Sequence, residues 1–169
     1  DAGGYAYLAA FQQRQSRDGG IAFNLPIERF RQYAGVASVN VSLDPDGIVR
    51  SYPYALHLDS ETVPSTAATL AEVEAPPGSG FRIDYSIDAD AIDRIPAADL
   101  LAGTIDASRI AGKEVIIGAS AVELRDFFVV PRHGVLPGAL LQAMAVETLK
   151  QHRALQVVDP MAAAGSVLV

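Results

Sequence analysis

Ser120, Asp126 and His133 are the residues of this chain whose types and order resemble a nucleophile, an acid and a base. A serine hydroxyl becomes a nucleophile when an imidazole takes its proton and a carboxylate orients that imidazole. The order suits such a set, but the surroundings do not. A nucleophile elbow needs Gly-x-Ser-x-Gly so that small residues permit a strained turn, and Gly118-Ala119-Ser120-Ala121-Val122 puts a β-branched residue where the second glycine belongs. All three residues also fall in one short stretch, whereas triad partners arrive from separate strands. Ser120 therefore reads as a loop-opening hydroxyl that caps or bonds backbone, and no residue is assigned as catalytic. A small hydrolase using Ser120 is the competing reading.

The elements around these residues set what they can face. Gly112-Lys113-Glu114-Val115-Ile116-Ile117-Gly118-Ala119-Ser120 reads as a buried strand, because the apolar run is too short for a helix and suits a strand covered on both faces. Gly118 then permits a sharp turn into an irregular loop over residues 119–136. Residues 137–151 form the strongest helical pattern, with Leu140, Leu141, Met144, Ala145, Val146 and Leu149 on the apolar face and Gln142, Glu147, Lys150 and Gln151 mostly outside it. Open α/β sheets bind ligands beyond the carboxyl ends of their parallel strands, so the loop is the expected functional surface.

Composition narrows the function further. The chain has 169 residues, half of them apolar, enough for one domain with a sizeable core and too few for two. Thirteen basic groups stand against 20 acidic ones, a net charge of -7, and the basic residues are scattered. Nothing builds the positive stripe that nucleic acid requires, so no nucleic-acid partner is expected. The absence of cysteine excludes disulfide frameworks, thiolate catalysis and cysteine-based metal sites, without identifying a compartment.

Residues 5–13 carry Tyr5, Leu8, Ala9 and Phe11 at roughly helical spacing, ended by Asp18-Gly19-Gly20, and a short strand is expected over 21–23. Pro26 opens a helix over 25–33 with Ile27, Phe30 and Tyr33 on one face. Residues 36–43 alternate toward Asp44-Pro45-Asp46-Gly47, which turns the chain into residues 48–56. Pro45 presets the first turn dihedral and Gly47 takes the left-handed conformation, so Asp44, Asp46 and Gly47 are structural turn residues of a hairpin. The terminal glutamate and further oxygen ligands of a calcium loop are missing there. A helix follows over 64–73 with Ser65 or Thr66 near its start, then a surface loop at Ala75-Pro76-Pro77-Gly78-Ser79-Gly80, an alternating strand over 81–87 and a short helix over 97–101. Asp84, Asp88, Asp90 and Asp93 lack an imidazole partner and read as solvated carboxylates; His57 and His152 look exposed and unpaired. No metal site and no cofactor are assigned.

The chain opens at Asp1 and closes in an uncharged run from Met161 to Val169 after Asp159-Pro160, as expected of a piece excised from a longer protein. That run is shorter than the ~20 apolar residues that span a bilayer. It reads either as an edge strand or loose end of the domain, or as the first turns of a transmembrane helix.

Three segments together resemble the type-two CHASE domain, the Cyclases/Histidine kinases Associated Sensory Extracellular module of bacterial receptors. They are Asp44-Pro45-Asp46-Gly47-Ile48-Val49-Arg50 with Pro53; Gly112 to Ser120; and Asp126, Phe128, Pro131, Pro137 and Gly138 with the helix to Leu149. The resemblance implies an extracytoplasmic, periplasmic sensor (residues 1–153) and a juxtamembrane tail (residues 154–169) leading into a transmembrane segment, with the amino-terminal part of the domain lacking. A cytoplasmic adenylate or guanylate cyclase, histidine kinase or Ser/Thr kinase would be the output. Lys150, His152 and Arg153 weigh mildly against an extracytoplasmic position. Where the family commonly shows a His and an Asn on the last helix, this chain has Gln142 and Met144. Ser120, Asp126, Pro131, Pro137 and Gln142 are the ligand-binding or switch candidates. The fold expected is one α/β domain with a mixed central β-sheet, a β-hairpin and flanking helices. Its partners would be a small-molecule or ionic ligand, the membrane through flanking segments, and a second copy in a homodimer. A scaffold that dimerises receptors without binding ligand is the third alternative.

Overall fold

The computed structural model of the chain describes residues 5–14, 21–58, 61–74 and 78–155. Strand β1 (Tyr7–Arg14) lies between β2 (Ile21–Asn24), antiparallel to it, and β3 (Gly35–Ser38), parallel to it. The helical spacing read over residues 5–13 is overturned. Leu8, Ala10 and Gln12 turn inward while Tyr7, Ala9, Phe11 and Gln13 turn out, a period of two that the wider spacing of the apolar residues concealed. Asn40 reinforces this strand: its Nδ2 donates to the Gln12 carbonyl at 3.0 Å, and its Oδ1 accepts from the Gln12 amide at 2.7 Å. The helix expected over 25–33 shrinks to one turn, α1 (Glu28–Arg31), and leaves Ile27, Phe30 and Tyr33 exposed.

The hairpin forms at its turn and parts beyond it. Strand β4 (Ser42–Leu43) pairs with β5 (Val49–Pro53), while residues 35–38 leave to join β1. Gly47 sits at φ +79° and its N–H donates to the Asp44 carbonyl at 2.8 Å; the Ile48 N–H donates to Asp46 Oδ1 at 3.1 Å. Arg50 bridges the turn, reaching Asp44 at 2.7 Å and Asp46 at 2.8 Å. The hydrogen bond from Arg50 holds the Asp46 carboxyl below its usual range, helped by the Ile48 amide. Strand β5 also pairs with β8 (Gly80–Arg82), and β6 (Ala55–Leu58) with β7 (Glu61–Pro64). Helix α2 (Thr66–Leu70) begins at Ser65, whose hydroxyl accepts from the Ala68 amide at 3.2 Å and satisfies one orphan donor of the first turn.

The strand expected over 81–87 keeps its ladder only to Arg82. Phe81, Ile83, Tyr85 and Ile87 are nonetheless all buried, so the alternation reported burial along an extended path and not pairing. Helix α3 (Ala97–Leu101) forms where expected. The larger correction concerns residues 115–117. They lie in no strand, and Val115 and Ile117 are 53% and 89% exposed. A β-branched run favours extension, but a ladder needs a neighbour, and among the described residues none pairs with it. The segment lies along the last helix: Ile116 packs toward the core, Gly118 is set against Ala139 where a Cβ would collide, and Glu114 pairs with Lys150 at 2.5 Å. Gly118 thus serves close approach rather than a sharp turn.

The loop expected over 119–136 contains a second hairpin, β9 (Phe127–Val130) with β10 (Gly134–Pro137). It feeds α4 (Gly138–Lys150), which packs on α2 and carries Leu141, Met144 and Ala145 with no exposed surface. Val49, Tyr52, Phe81, Ile83 and Leu136 close the core around it. The fold is one mixed α/β domain whose sheet is divided into several small ladders. The transmembrane assignment for Met161 to Val169 lies outside the described residues, as does the loop at Asp18-Gly19-Gly20; no helix among the described residues is long and apolar enough to cross a membrane.

The turn geometry has a direct consequence for stability. A valine at position 47 would have to hold its branched side chain at positive φ, and Gly47→Val is expected to cost about 1–3 kcal/mol. Thermal unfolding checks this; a melting temperature equal to that of the wild type would contradict the assigned turn.

Candidate functional site

Of the residues singled out in the 119–137 segment, Asp126 and Pro137 meet at the entry to α4. Pro137 is the residue at the helix start, and the Gly138 amide donates to the Asp126 carbonyl at 2.9 Å. The Asp126 carboxylate lies over Gly138 so closely that a Cβ there would run into it, which places negative charge at the positive end of a 13-residue helix dipole. Ser120 is exposed and makes no hydrogen bond among the described residues, so it does not cap or bond backbone as expected. Two of the four non-glycine residues at positive φ among the described residues lie in the same segment, Arg125 at φ +54° and Arg132 at φ +68°. The His133 amide donates to the Pro131 carbonyl at 2.7 Å across Arg132, which makes Arg132 the centre of a γ-turn of the rare, positive-φ kind.

Gln142 is buried, although the helical pattern set it outside the apolar face. Its Oε1 accepts from the Tyr52 hydroxyl and its Nε2 donates to the Val39 carbonyl at 3.0 Å, so one side chain ties α4 to β5 and to the segment after β3. Burial pushes the Tyr52 phenol well above its usual pKa, which keeps it a neutral donor. Thr148 does similar work on the other side, donating to the Met144 carbonyl at 2.8 Å and accepting from the Asp84 amide at 3.1 Å.

His133 is held away from acid/base work at one nitrogen. Its Nε2 lies 3.0 Å from the Tyr85 carbonyl and 3.1 Å from the Ile87 carbonyl, two acceptors that require a proton on that nitrogen. The imidazole therefore staples the β9–β10 turn to the 85–87 segment. The acidic run is dispersed among separate partners: Asp84 on Arg153 at 2.7 Å, Asp90 on Arg94 at 2.9 Å, Asp93 on Arg109, and Asp88 capping the Asp90 amide at 3.0 Å. His57, read as unpaired, places Nδ1 3.2 Å from the Thr62 hydroxyl.

Beside that turn lies an open depression of about 290 Å³, with Arg50, Arg82, Asp84, Tyr85, Pro131 and Leu155 on its walls. Of the expected site residues only Pro131 lines it. The segment leaving α4 forms its rim: the Leu155 carbonyl accepts from the Arg82 amide at 3.1 Å, and Arg153 reaches Asp84 and, at 2.6 Å, the Ser86 hydroxyl. Hydrogen bonds from Ser86, then the charges of Arg153 and Arg132, hold the Asp84 carboxyl below its usual pKa. No sequence signal singled out the arginines, because residues 50, 82, 132 and 153 converge only through the fold.

The chain is a mixed α/β domain in which His133 spends Nε2 on backbone carbonyls and an open depression abuts the exit of the last helix. The family model of the CHASE2 domain matches residues 6–168, and the chain belongs to that family. CHASE2 domains are extracellular sensory domains, typically found in signalling receptors. No curated protein and no solved structure matches the chain.

Two outcomes follow from this geometry. Gln142→Met removes the acceptor of the buried Tyr52 hydroxyl and the donor to the half-buried Val39 carbonyl and is expected to cost about 1–3 kcal/mol; adding Tyr52→Phe should recover part of that loss in a double-mutant cycle by denaturant unfolding. Asp84 has a lowered pKa in the folded chain, so its stabilisation is complete above the ordinary carboxylate value and is lost as pH falls through the lower, folded value. Asp84→Asn is expected to lower stability at neutral pH by about 1 kcal/mol or less and to flatten the acid limb of the stability profile, measured by unfolding at stepped pH.

Proposed function

We propose that this domain senses a small-molecule or ionic ligand on the periplasmic face of the bacterial inner membrane and regulates a cytoplasmic adenylate or guanylate cyclase, histidine kinase or Ser/Thr kinase. The observation that carries this is that Pro131, from the strained 119–137 segment, and Leu155, from the α4 exit, line one depression. Asp126 engages the start of α4, and Arg153 and Leu155 fasten the chain just after its end. A ligand that favours one arrangement of these contacts shifts the population of the exit segment, the least physics a receptor needs. The membrane connection runs through segments flanking the domain, and a homodimer would let two exits move together.

The test is full-length receptor reconstituted in vesicles. Asp126→Ala and Arg153→Gln are each expected to change cyclase or kinase output severalfold while circular dichroism of the isolated domain stays that of the folded protein. Wild-type output, basal and stimulated, in both folded variants would sink the switch assignment and favour a dimerisation scaffold.

A further inference from the structure

The charges around the depression do not balance locally. The Arg50 guanidinium is engaged by Asp44 and Asp46, and Asp84 by Arg153. Arg82 lines the same wall, is half-buried, and its guanidinium has no ion pair or hydrogen bond among the described residues. Arg132, presented by the strained γ-turn next to Pro131, likewise has no ion pair or hydrogen bond there, and its charge acts on Asp84. An unpaired guanidinium at the edge of such a depression is open to a counterion, and a carboxylate is its geometric match. The rest of the lining is Asp84, already paired with Arg153, together with Tyr85 and the apolar Ile83, Pro131 and Leu155. An inorganic ion would leave the apolar part unfilled.

We infer that this depression binds a compact organic carboxylate, its anionic head on Arg82 and its apolar body against Ile83, Pro131 and Leu155. At about 290 Å³ the space is at the small end of ligand sites, which limits the occupant to a small molecule. The occupant touches Leu155, whose carbonyl holds the Arg82 amide, so occupancy bears directly on the chain leaving α4. The assignment rests on the sensor role proposed above and names its ligand class.

The experiment titrates the chain with acetate, succinate and benzoate at constant ionic strength, following heat and tyrosine fluorescence, with uncharged benzamide as the control. Saturable carboxylate binding is expected, weakened about tenfold or more by Arg82→Gln, partly restored by Arg82→Lys, and unchanged by Arg94→Gln, which alters a remote surface pair. Circular dichroism verifies that each variant is folded. No saturable binding of any carboxylate up to about 10 mM, equal binding of benzamide, or full binding by folded Arg82→Gln and Arg82→Lys would each overturn the assignment. Those results leave the sensor role standing, because it is tested by receptor output. Carboxylate binding through Arg82 that leaves receptor output unmoved would instead keep the site and remove its coupling to signalling.

Discussion

Helix α4 is buried on most of its circumference, and every polar group it takes inside has to be met by another element. Gln142 and Thr148 are the two buried polar side chains on it, and each bonds in two directions. An unpaired amide or hydroxyl there would cost about 1–3 kcal/mol, comparable to deleting a small apolar contact. These bonds also fix register, because Tyr52, Val39 and Asp84 can reach them from only one position of β5, the β3 exit and the β8 exit. The apolar contacts of Leu141 and Met144 supply most of the energy; the polar pairs decide which arrangement receives it.

What was legible in the sequence was local. Asp44-Pro45-Asp46-Gly47 closes its turn through hydrogen bonds within five residues of chain, Ser65 caps α2 three residues on, and α4 follows an apolar pattern long enough to identify a helix. Where a choice depended on a partner far along the chain, the sequence was silent. Tyr5, Leu8 and Phe11 stand at helical spacing, and the ladder that β3 gives β1 is what makes the segment extended. Val115 and Ile117 have strand-forming side chains and stay exposed, because propensity cannot supply a neighbour. The family resemblance, carried by three separated motifs, reached further than any single element and is matched over residues 6–168.

The candidate site was the least legible part for the same reason. The loop over residues 119–136 was identified as the functional surface from its place beyond the carboxyl end of a strand expected at 115–117, yet that strand does not form and the depression takes only Pro131 from the loop. Its charges come from β5, β8 and the α4 exit, parts of the chain separated by tens of residues. Scattered basic residues in an acidic chain exclude a nucleic-acid stripe, but scatter along the sequence says nothing about convergence in space.

The fastenings of the domain are graded, and the gradation decides what can move. Removing Leu141 or Met144 from the core would cost about 2–5 kcal/mol each, so α4 cannot shift as a body without unfolding its surroundings. The chain after Lys150 is held differently. Arg153 is 42% exposed, and an ion pair of that kind is worth about 1 kcal/mol or less. The single backbone bond from Arg82 to Leu155 adds about 0.5–1.5 kcal/mol. Together with the Arg153–Ser86 hydrogen bond these are of the order that a roughly ten- to hundredfold difference in ligand affinity between two states can overturn. The exit segment is therefore the weakly held element of the site, and it is the one that leads out of α4 toward the carboxyl end of the chain.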